Sequence, residues 1–129
     1  MSLQNYLLLG LIALGLTACN SRPKAPIPEL GVLEKISNID VMPHTKSNSA
    51  QLVKLLDHCI IEFNANLSAG RATEKWRFKG HALMNANTSI LARDGTSTGQ
   101  TFDLHDPLVQ ANFLALKSHF QKQNLAACE

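Results

Sequence analysis

The chain has 129 residues, 45% of them hydrophobic, and its 12 Lys and Arg against 10 Asp and Glu give a formal net charge of +2. These values allow one small domain and exclude a disordered chain, a collagen-like chain and a multi-pass membrane protein. The charges are unevenly placed, because residues 1–18 contain no Asp, Glu, Lys or Arg. The first segment therefore differs in kind from the rest of the chain.

Residues 1–18 have the layout of a signal peptide. A polar start, residues 1–6, precedes an apolar run at residues 7–16, and the small residues Thr17 and Ala18 follow. At about 1.5 Å per residue this run covers roughly half of a ~30 Å hydrocarbon core. Its length is typical of a secretory signal rather than of a transmembrane helix.

The sequence Leu16-Thr17-Ala18-Cys19 resembles the bacterial lipobox, in which a Leu precedes a Cys by three positions with small residues between them. This resemblance to bacterial lipoproteins implies that the Cys19 thiol receives a diacylglyceryl group and that cleavage occurs before Cys19. It also implies that the new amino terminus is acylated, and several acyl chains such as palmitate anchor a protein firmly in a membrane. The alternative is an apolar N-terminal helix with a buried Cys19, which the prolines that follow disfavour.

The position after Cys19 bears on localisation. Enterobacterial lipoproteins with Asp at this position stay at the inner membrane, so Asn20 implies by resemblance an outer-membrane protein that faces the periplasm, with the inner membrane as the alternative. Residues 19–28 contain three Pro and are predicted to form an extended tether after the lipidated Cys. Residues 29–129 are predicted to form a single periplasmic domain.

The first half of this domain is predicted to contain a helix. Residues 29–42 fit no regular period, and residues 43–49 are predicted to be a polar loop ending in helix-capping residues. Residues 50–67 then place apolar side chains at helical intervals, which predicts an amphipathic helix that ends near Gly70. These apolar residues are Leu52, Leu55, Leu56, Cys59, Ile60, Phe63 and Leu67.

The middle of the domain is predicted to form strands. Residues 73–79 alternate basic and aromatic side chains, as in a half-buried strand. Residues 89–92 and 100–104 are shorter strand candidates on either side of the turn-rich segment 93–99. Residues 80–88 are compatible with a strand or a loop.

A second helix is predicted to begin at Asp106-Pro107, because Asp caps free amide groups and Pro suits the first helical position. Its apolar stripe consists of Val109, Phe113, Leu116 and Phe120. We therefore expect an α+β domain in the order α-β-β-β-α, with a small antiparallel sheet of two or three strands packed by two amphipathic helices.

The three cysteines fit an exported protein. Once Cys19 is assigned to lipidation, Cys59 and Cys128 remain as a pair. A disulfide between them would close a loop of about 70 residues and stabilise the domain by roughly 4 kcal/mol in the chain-entropy model. A disulfide to another chain and two free thiols are the alternatives.

One motif resembles that of a hydrolase. Residues 95–99 (GTSTG) match G-x-S-x-G, and Asp103 or Asp106 and then His119 follow in the order of an α/β-hydrolase triad. That motif requires a strand before the Ser and a helix after it, on a large parallel sheet. A strand-like stretch follows here instead, so a glycine-rich hairpin loop is the preferred interpretation.

The histidines offer a metal hypothesis, and they are His44, His58, His81, His105 and His119. His58 and Glu62 would lie one turn apart on the predicted helix, but a zinc site needs three or four ligands. The sequence has no HExxH motif and no closely spaced Cys/His set. We predict scattered solvated histidines, with no metal site, no cofactor and no catalytic residue.

A basic cluster interleaved with aromatic residues is the candidate surface contact, and it comprises Arg71, Lys75, Arg77 and Lys79 around Trp76 and Phe78. Strand alternation predicts that the aromatic rings point away from the basic side. A periplasmic location argues against the nucleic acid that such patterns often bind. The alternatives are a solvated strand face or a contact with anionic lipid headgroups, a glycan or an acidic protein.

In general plan, the lipid anchor, the tether and the small disulfide-closed domain resemble the pilotins of type II secretion. The resemblance implies an outer-membrane lipoprotein that acts without catalysis, as an accessory, assembly or piloting factor that binds another protein of a secretion, pilus or conjugation machine. The alternative is a lipid-anchored inhibitor or immunity protein against an enzyme that reaches the periplasm. A small envelope hydrolase or glycan-binding module is a third class.

The lipobox assignment predicts the behaviour of one variant. Cys19→Ala removes the thiol that accepts the lipid, so the protein should accumulate as an unacylated, uncleaved precursor. Metabolic labelling with a palmitate analogue and gel mobility measure both steps. A variant that is still cleaved and still held in the membrane would contradict the assignment.

Overall fold

The computed structural model describes residues 30–42, 45 and 47–129, so the predicted signal peptide and tether lie outside the described residues. The described chain is dominated by one antiparallel sheet in which each strand pairs with the next along the sequence. The strands are β1 (Gly31–Ser37), β2 (Asn48–Lys54), β3 (Cys59–Leu67), β4 (Gly70–Lys79), β5 (Ala82–Ala92) and β6 (Ser97–Thr101).

Helices follow the last strand. Helix α1 (Pro107–Lys117) is followed by the short α2 (Lys122–Leu125) and by a 3-10 turn (Ala126–Cys128). The predicted opening of α1 is confirmed, because the Asp106 carboxylate accepts a hydrogen bond of 2.9 Å from the Leu108 amide. Of the predicted stripe, Phe113, Leu116 and Phe120 are buried and Val109 is partly buried.

The predicted α-β-β-β-α order with a sheet of two or three strands is wrong. Residues 50–67, expected to be a helix, form most of β2 and all of β3, which pair in a hairpin from Asn48 opposite Ala65 to Lys54 opposite Cys59. The leucines at positions 55 and 56 lie in the turn, and Leu56 is 85% exposed. Because apolar turn residues filled the gap between two strands, the apolar positions happened to fall at helical intervals.

The alternation of a half-buried sheet is nevertheless present in these strands. Every second residue of β2 and of most of β3 faces the buried side, here called the inner face. The inner residues are Asn48, Ala50, Leu52, Lys54, Cys59, Ile61, Phe63 and Ala65. Since several of them are small or polar while Val53 and Ile60 lie on the opposite, outer face, hydrophobicity did not display the period of two.

The strands predicted after residue 70 agree with the structure more closely. The strand expected at residues 73–79 is confirmed within β4, and the ambiguous residues 80–88 form a turn and the start of β5. The strand expected at 100–104 is displaced, since β6 ends at residue 101. Gly70 does not end a helix. It lies at the β3–β4 turn with a φ of +150°, where a Cβ would collide with the Leu91 carbonyl oxygen.

The core lies between the inner face and the C-terminal segment. The Phe113 ring of α1 packs against two rings of β4, at 5.2 Å from Phe78 and 6.2 Å from Trp76. Leu116 and Phe120 extend this buried layer. The segment 107–129 thus supplies the second layer that a one-sheet domain needs to bury its apolar face.

The predicted disulfide between Cys59 and Cys128 is present, and both cysteines are almost completely buried. It joins the first residue of β3 to the last turn of the chain across a sequence separation of 69 residues. Next to it, the Gly80 amide donates a 2.7 Å hydrogen bond to the Cys128 carbonyl oxygen. The disulfide therefore fastens the C-terminal segment to one end of the sheet.

We predict that the double variant Cys59→Ala/Cys128→Ala loses roughly 4 kcal/mol of unfolding free energy, because the unfolded chain regains its loop entropy. Urea unfolding followed by Trp76 fluorescence measures the loss. Wild-type protein held in reductant is the control, and it should show a similar loss. An unfolding midpoint equal to that of the oxidised wild type would contradict the prediction.

Candidate binding surfaces

The basic side chains of β4 lie together on the outer face. In this strand Trp76 and Phe78 are buried, while Arg71, Lys75, Arg77 and Lys79 are exposed. The predicted separation of aromatic and basic sides is thus confirmed. None of these four cations forms an ion pair or a side-chain hydrogen bond with another residue that the structure describes.

Both polar and apolar residues flank this basic row on the neighbouring strands. Lys75 pairs in register with Glu62 of β3 and Asn87 of β5, and Arg77 pairs with Ile60 and Asn85. Thr73 of β4 and Asn64 of β3 lie on the same face, where the Thr73 hydroxyl donates a 2.9 Å hydrogen bond to the amide oxygen of Asn64. These outer-face side chains of β3, β4 and β5 form the surface that we call the basic face.

The structure does not assemble the hydrolase-like residues. Ser97 is the first residue of β6, a fully exposed strand, and a strand rather than a helix follows the glycine-rich turn. Asp106 is engaged as the cap of α1, and the imidazole of His119 lies 3.3 Å from the Asp40 carbonyl oxygen. The hairpin-loop interpretation of residues 95–99 holds only for residues 95 and 96, because residues 97–99 belong to β6.

His58 and Glu62, the two residues of the metal hypothesis, do not lie on one face of a helix. Because no helix covers residues 50–67, His58 lies in the β2–β3 turn and Glu62 in β3. His58 is largely buried rather than solvated, and a 2.6 Å contact with it is the main cause that lowers the pKa of Asp57. In residues 30–42, 45 and 47–129, no group of three or more His, Cys, Asp and Glu could hold a metal ion.

Sequence reasoning missed a pocket between the inner face and α1. Its volume is about 240 Å³. Its walls come from the β1–β2 connection, β4, the segment after β6, and α1, and they are Met42, Glu74, Trp76, Phe102, Val109 and Asn112. We call this cavity the Glu74 pocket, because Glu74 is the only ionisable residue among the described residues of its lining.

Glu74 is a buried acid, with 7% of its surface exposed. Desolvation raises the pKa of its carboxyl from 4.5 to about 7, and the nearby Trp76 indole offsets part of that rise. In the described part of the chain no Lys, Arg or His forms an ion pair with this carboxyl. The strand alternation that identified Trp76 and Phe78 as inward-facing also places Glu74 inward, and this was the signal that could have revealed it.

Two aromatic rings border Glu74. Trp76 follows it by two positions on the same face, and its ring stacks on Phe102 at a centroid distance of 5.3 Å. The Trp76 Nε1–H is buried and has no hydrogen-bond partner of regular geometry in the described structure. The pocket therefore combines apolar walls with a buried acid that has no described cation beside it and with an indole N–H that lacks a hydrogen-bond partner of regular geometry.

No protein-family model, curated protein or solved structure was found to match this chain. In the portion of the chain that the structure describes, no helix is long and apolar enough to cross a membrane. Cys19 and the rest of the predicted lipobox lie outside that portion.

The burial of Glu74 predicts a stability that falls as pH rises. The folded protein binds the proton of the Glu74 carboxyl more tightly than the unfolded chain does. The stabilisation that this proton provides is therefore complete below about pH 4.5 and is lost as pH rises through about 7. The loss is up to about 3 kcal/mol. Glu74→Gln should therefore be more stable than wild type at about pH 8 and should gain little at about pH 5.

Urea unfolding of wild type and variant at both pH values measures this difference. Glu62→Gln, which removes a carboxyl from the outer face of β3, is the control and should not reproduce the pH-dependent gain. If the Glu74→Gln gain is the same at both pH values, Glu74 is not the group responsible.

Proposed function

We propose that this chain is an exported, lipid-anchored protein that acts without catalysis by binding another protein of the cell envelope. In this proposal the acyl chains on Cys19 hold it at the outer membrane, and residues 20–28 carry the domain into the periplasm. The bound protein belongs to a secretion, pilus, conjugation or related envelope machine, which this chain serves as an accessory, assembly or piloting factor.

The basic face is the observation that supports protein binding most directly. Arg71, Lys75, Arg77 and Lys79 project from one strand of a regular sheet, where the backbone hydrogen bonds hold their spacing. Cations held in this way suit an acidic protein surface, because complementary charge speeds encounter and fixes orientation. The flanking amides of β3 and β5 add hydrogen-bonding groups of the kind found at polar interface rims.

The disulfide supports export. Stable disulfides form in oxidising compartments such as the periplasm and are rare in the cytosol. Cys59 and Cys128 are joined, so the odd number of cysteines leaves Cys19 for another use. Lipidation of Cys19 agrees with both observations.

The alternative function uses the same surface. A small, rigid domain with a basic face suits an inhibitor or immunity protein that covers an acidic cleft of an enzyme. The two functions differ in what is bound, because an inhibitor's partner is an enzyme that loses activity in the complex.

We predict that Lys75→Glu/Arg77→Glu lowers recovery of the partner at least about tenfold, because like charges then face the partner's acidic surface. The measurement is affinity capture of tagged protein from membranes after mild crosslinking, with quantitative mass spectrometry. Arg93→Glu/Lys122→Glu is the matched control, since it makes the same change in net charge at residues outside β4.

Undiminished recovery with the β4 variant would contradict the role of the basic face. If the wild type recovers no envelope protein, the accessory function itself is contradicted. An enzyme among the recovered proteins, inhibited by addition of the pure domain, would favour the inhibitor.

A further inference from the structure

The Glu74 pocket is a second candidate site, and it lies on the other side of the sheet from the basic face. Glu74 is more than nine-tenths buried and lines the pocket, and the only described group that favours its charged form is the neighbouring Trp76 indole. A buried carboxylate without a cation beside it is unfavourable, and proteins normally pair such charges. This side chain therefore requires an explanation that the packing of the core does not provide.

The volume of the pocket limits the size of the group that it can hold. At about 240 Å³ it is smaller than the pockets that enclose drug-sized ligands, so it accommodates a group the size of one side chain. Met42 and Val109 offer apolar contacts for an alkyl chain, and Asn112 of α1 adds a polar residue to the lining.

The Glu74 carboxyl lies among apolar and aromatic side chains in the lining of the pocket. The indole of Trp76 stacks on the ring of Phe102, and Glu74 lies beside Trp76 in the pocket lining. Trp76 also stacks on Phe113, so its ring faces are engaged in the core and the Glu74 carboxylate is the group that attracts a cation. A carboxylate in a pocket with aromatic and aliphatic walls is suited to a cation on a short alkyl stem.

We propose that the Glu74 pocket binds a primary alkylammonium group, with the nitrogen at the Glu74 carboxylate and the alkyl stem against Met42 and Val109. Two sources supply this chemistry, namely a lysine side chain of a protein and a free small amine. On binding, a protonated Glu74 releases its proton to the solvent and pairs with the incoming cation. The inference is independent of the basic face and of the proposed function.

Trp76 makes the proposal directly measurable, since it is the only Trp in the chain. The first probe is n-butylammonium chloride, titrated into the full protein at constant ionic strength while Trp76 fluorescence is recorded. A saturable change with a Kd on the order of 1 mM is expected for so small a ligand. The matched probe n-butanol has the same stem without charge and should bind at least about tenfold more weakly.

Glu74→Gln is the matched variant, because Gln keeps the shape of a protonated Glu and removes only its ability to become charged. It should weaken n-butylammonium binding at least about tenfold, whereas Glu62→Gln should bind as wild type does. Calorimetry at about pH 7 in buffers of different ionisation enthalpy should report proton release in wild type and none in Glu74→Gln.

A third probe, lysine blocked at both its amino and carboxyl ends, separates the two sources. Binding of blocked lysine as tight as that of n-butylammonium indicates a protein side chain as the ligand, and its exclusion indicates a free amine. Equal binding of n-butanol and n-butylammonium would overturn the proposal, as would equal binding by wild type and Glu74→Gln. An absence of any saturable change in wild type would overturn it as well.

Discussion

The fold depends on the burial of one sheet face beneath the C-terminal segment 107–129. A lone antiparallel sheet cannot bury its apolar side, and here α1 and the residues after it provide the only second layer in the described structure. Phe113 packs on β4, and the disulfide from Cys128 to Cys59 holds the segment's end at the start of β3. Without this attachment the inner face would be exposed to water.

Polar contacts fasten the same segment at two further places. Glu34 of β1 accepts 3.0 Å hydrogen bonds from the Gln121 amide and from the Asn124 side chain. At the β4–β5 turn, Lys117 donates a 2.8 Å hydrogen bond to the Gly80 carbonyl oxygen. The segment is thus held to β1, β3 and β4–β5, which leaves the outer face of the sheet available for the basic row and places the Glu74 pocket along the seam between the layers.

The sequence predicted the features that have a local signal. The capping Asp106, the alternation of β4 and the pairing of the remaining cysteines each follow from residue chemistry at short range or from simple counting. The sequence-based predictions are wrong where the position of a residue is decided by tertiary packing. Ala50 and Ala65 are buried on the inner face, and nothing local distinguishes such small residues from those on a helix surface. Glu74 was missed for a related reason, since acidic residues are normally expected outside.

The central proposal is that the chain is exported and lipid-anchored, and that it carries the domain closed by the Cys59–Cys128 disulfide. Intact-mass analysis of protein purified from its native membrane tests all parts of this claim together. The account predicts a chain that begins at Cys19, gains the mass of a diacylglyceryl group and an amide-linked acyl chain, and lacks the thiol hydrogens of Cys59 and Cys128. An unmodified chain that begins at Met1, or one that retains both thiol hydrogens, would contradict it.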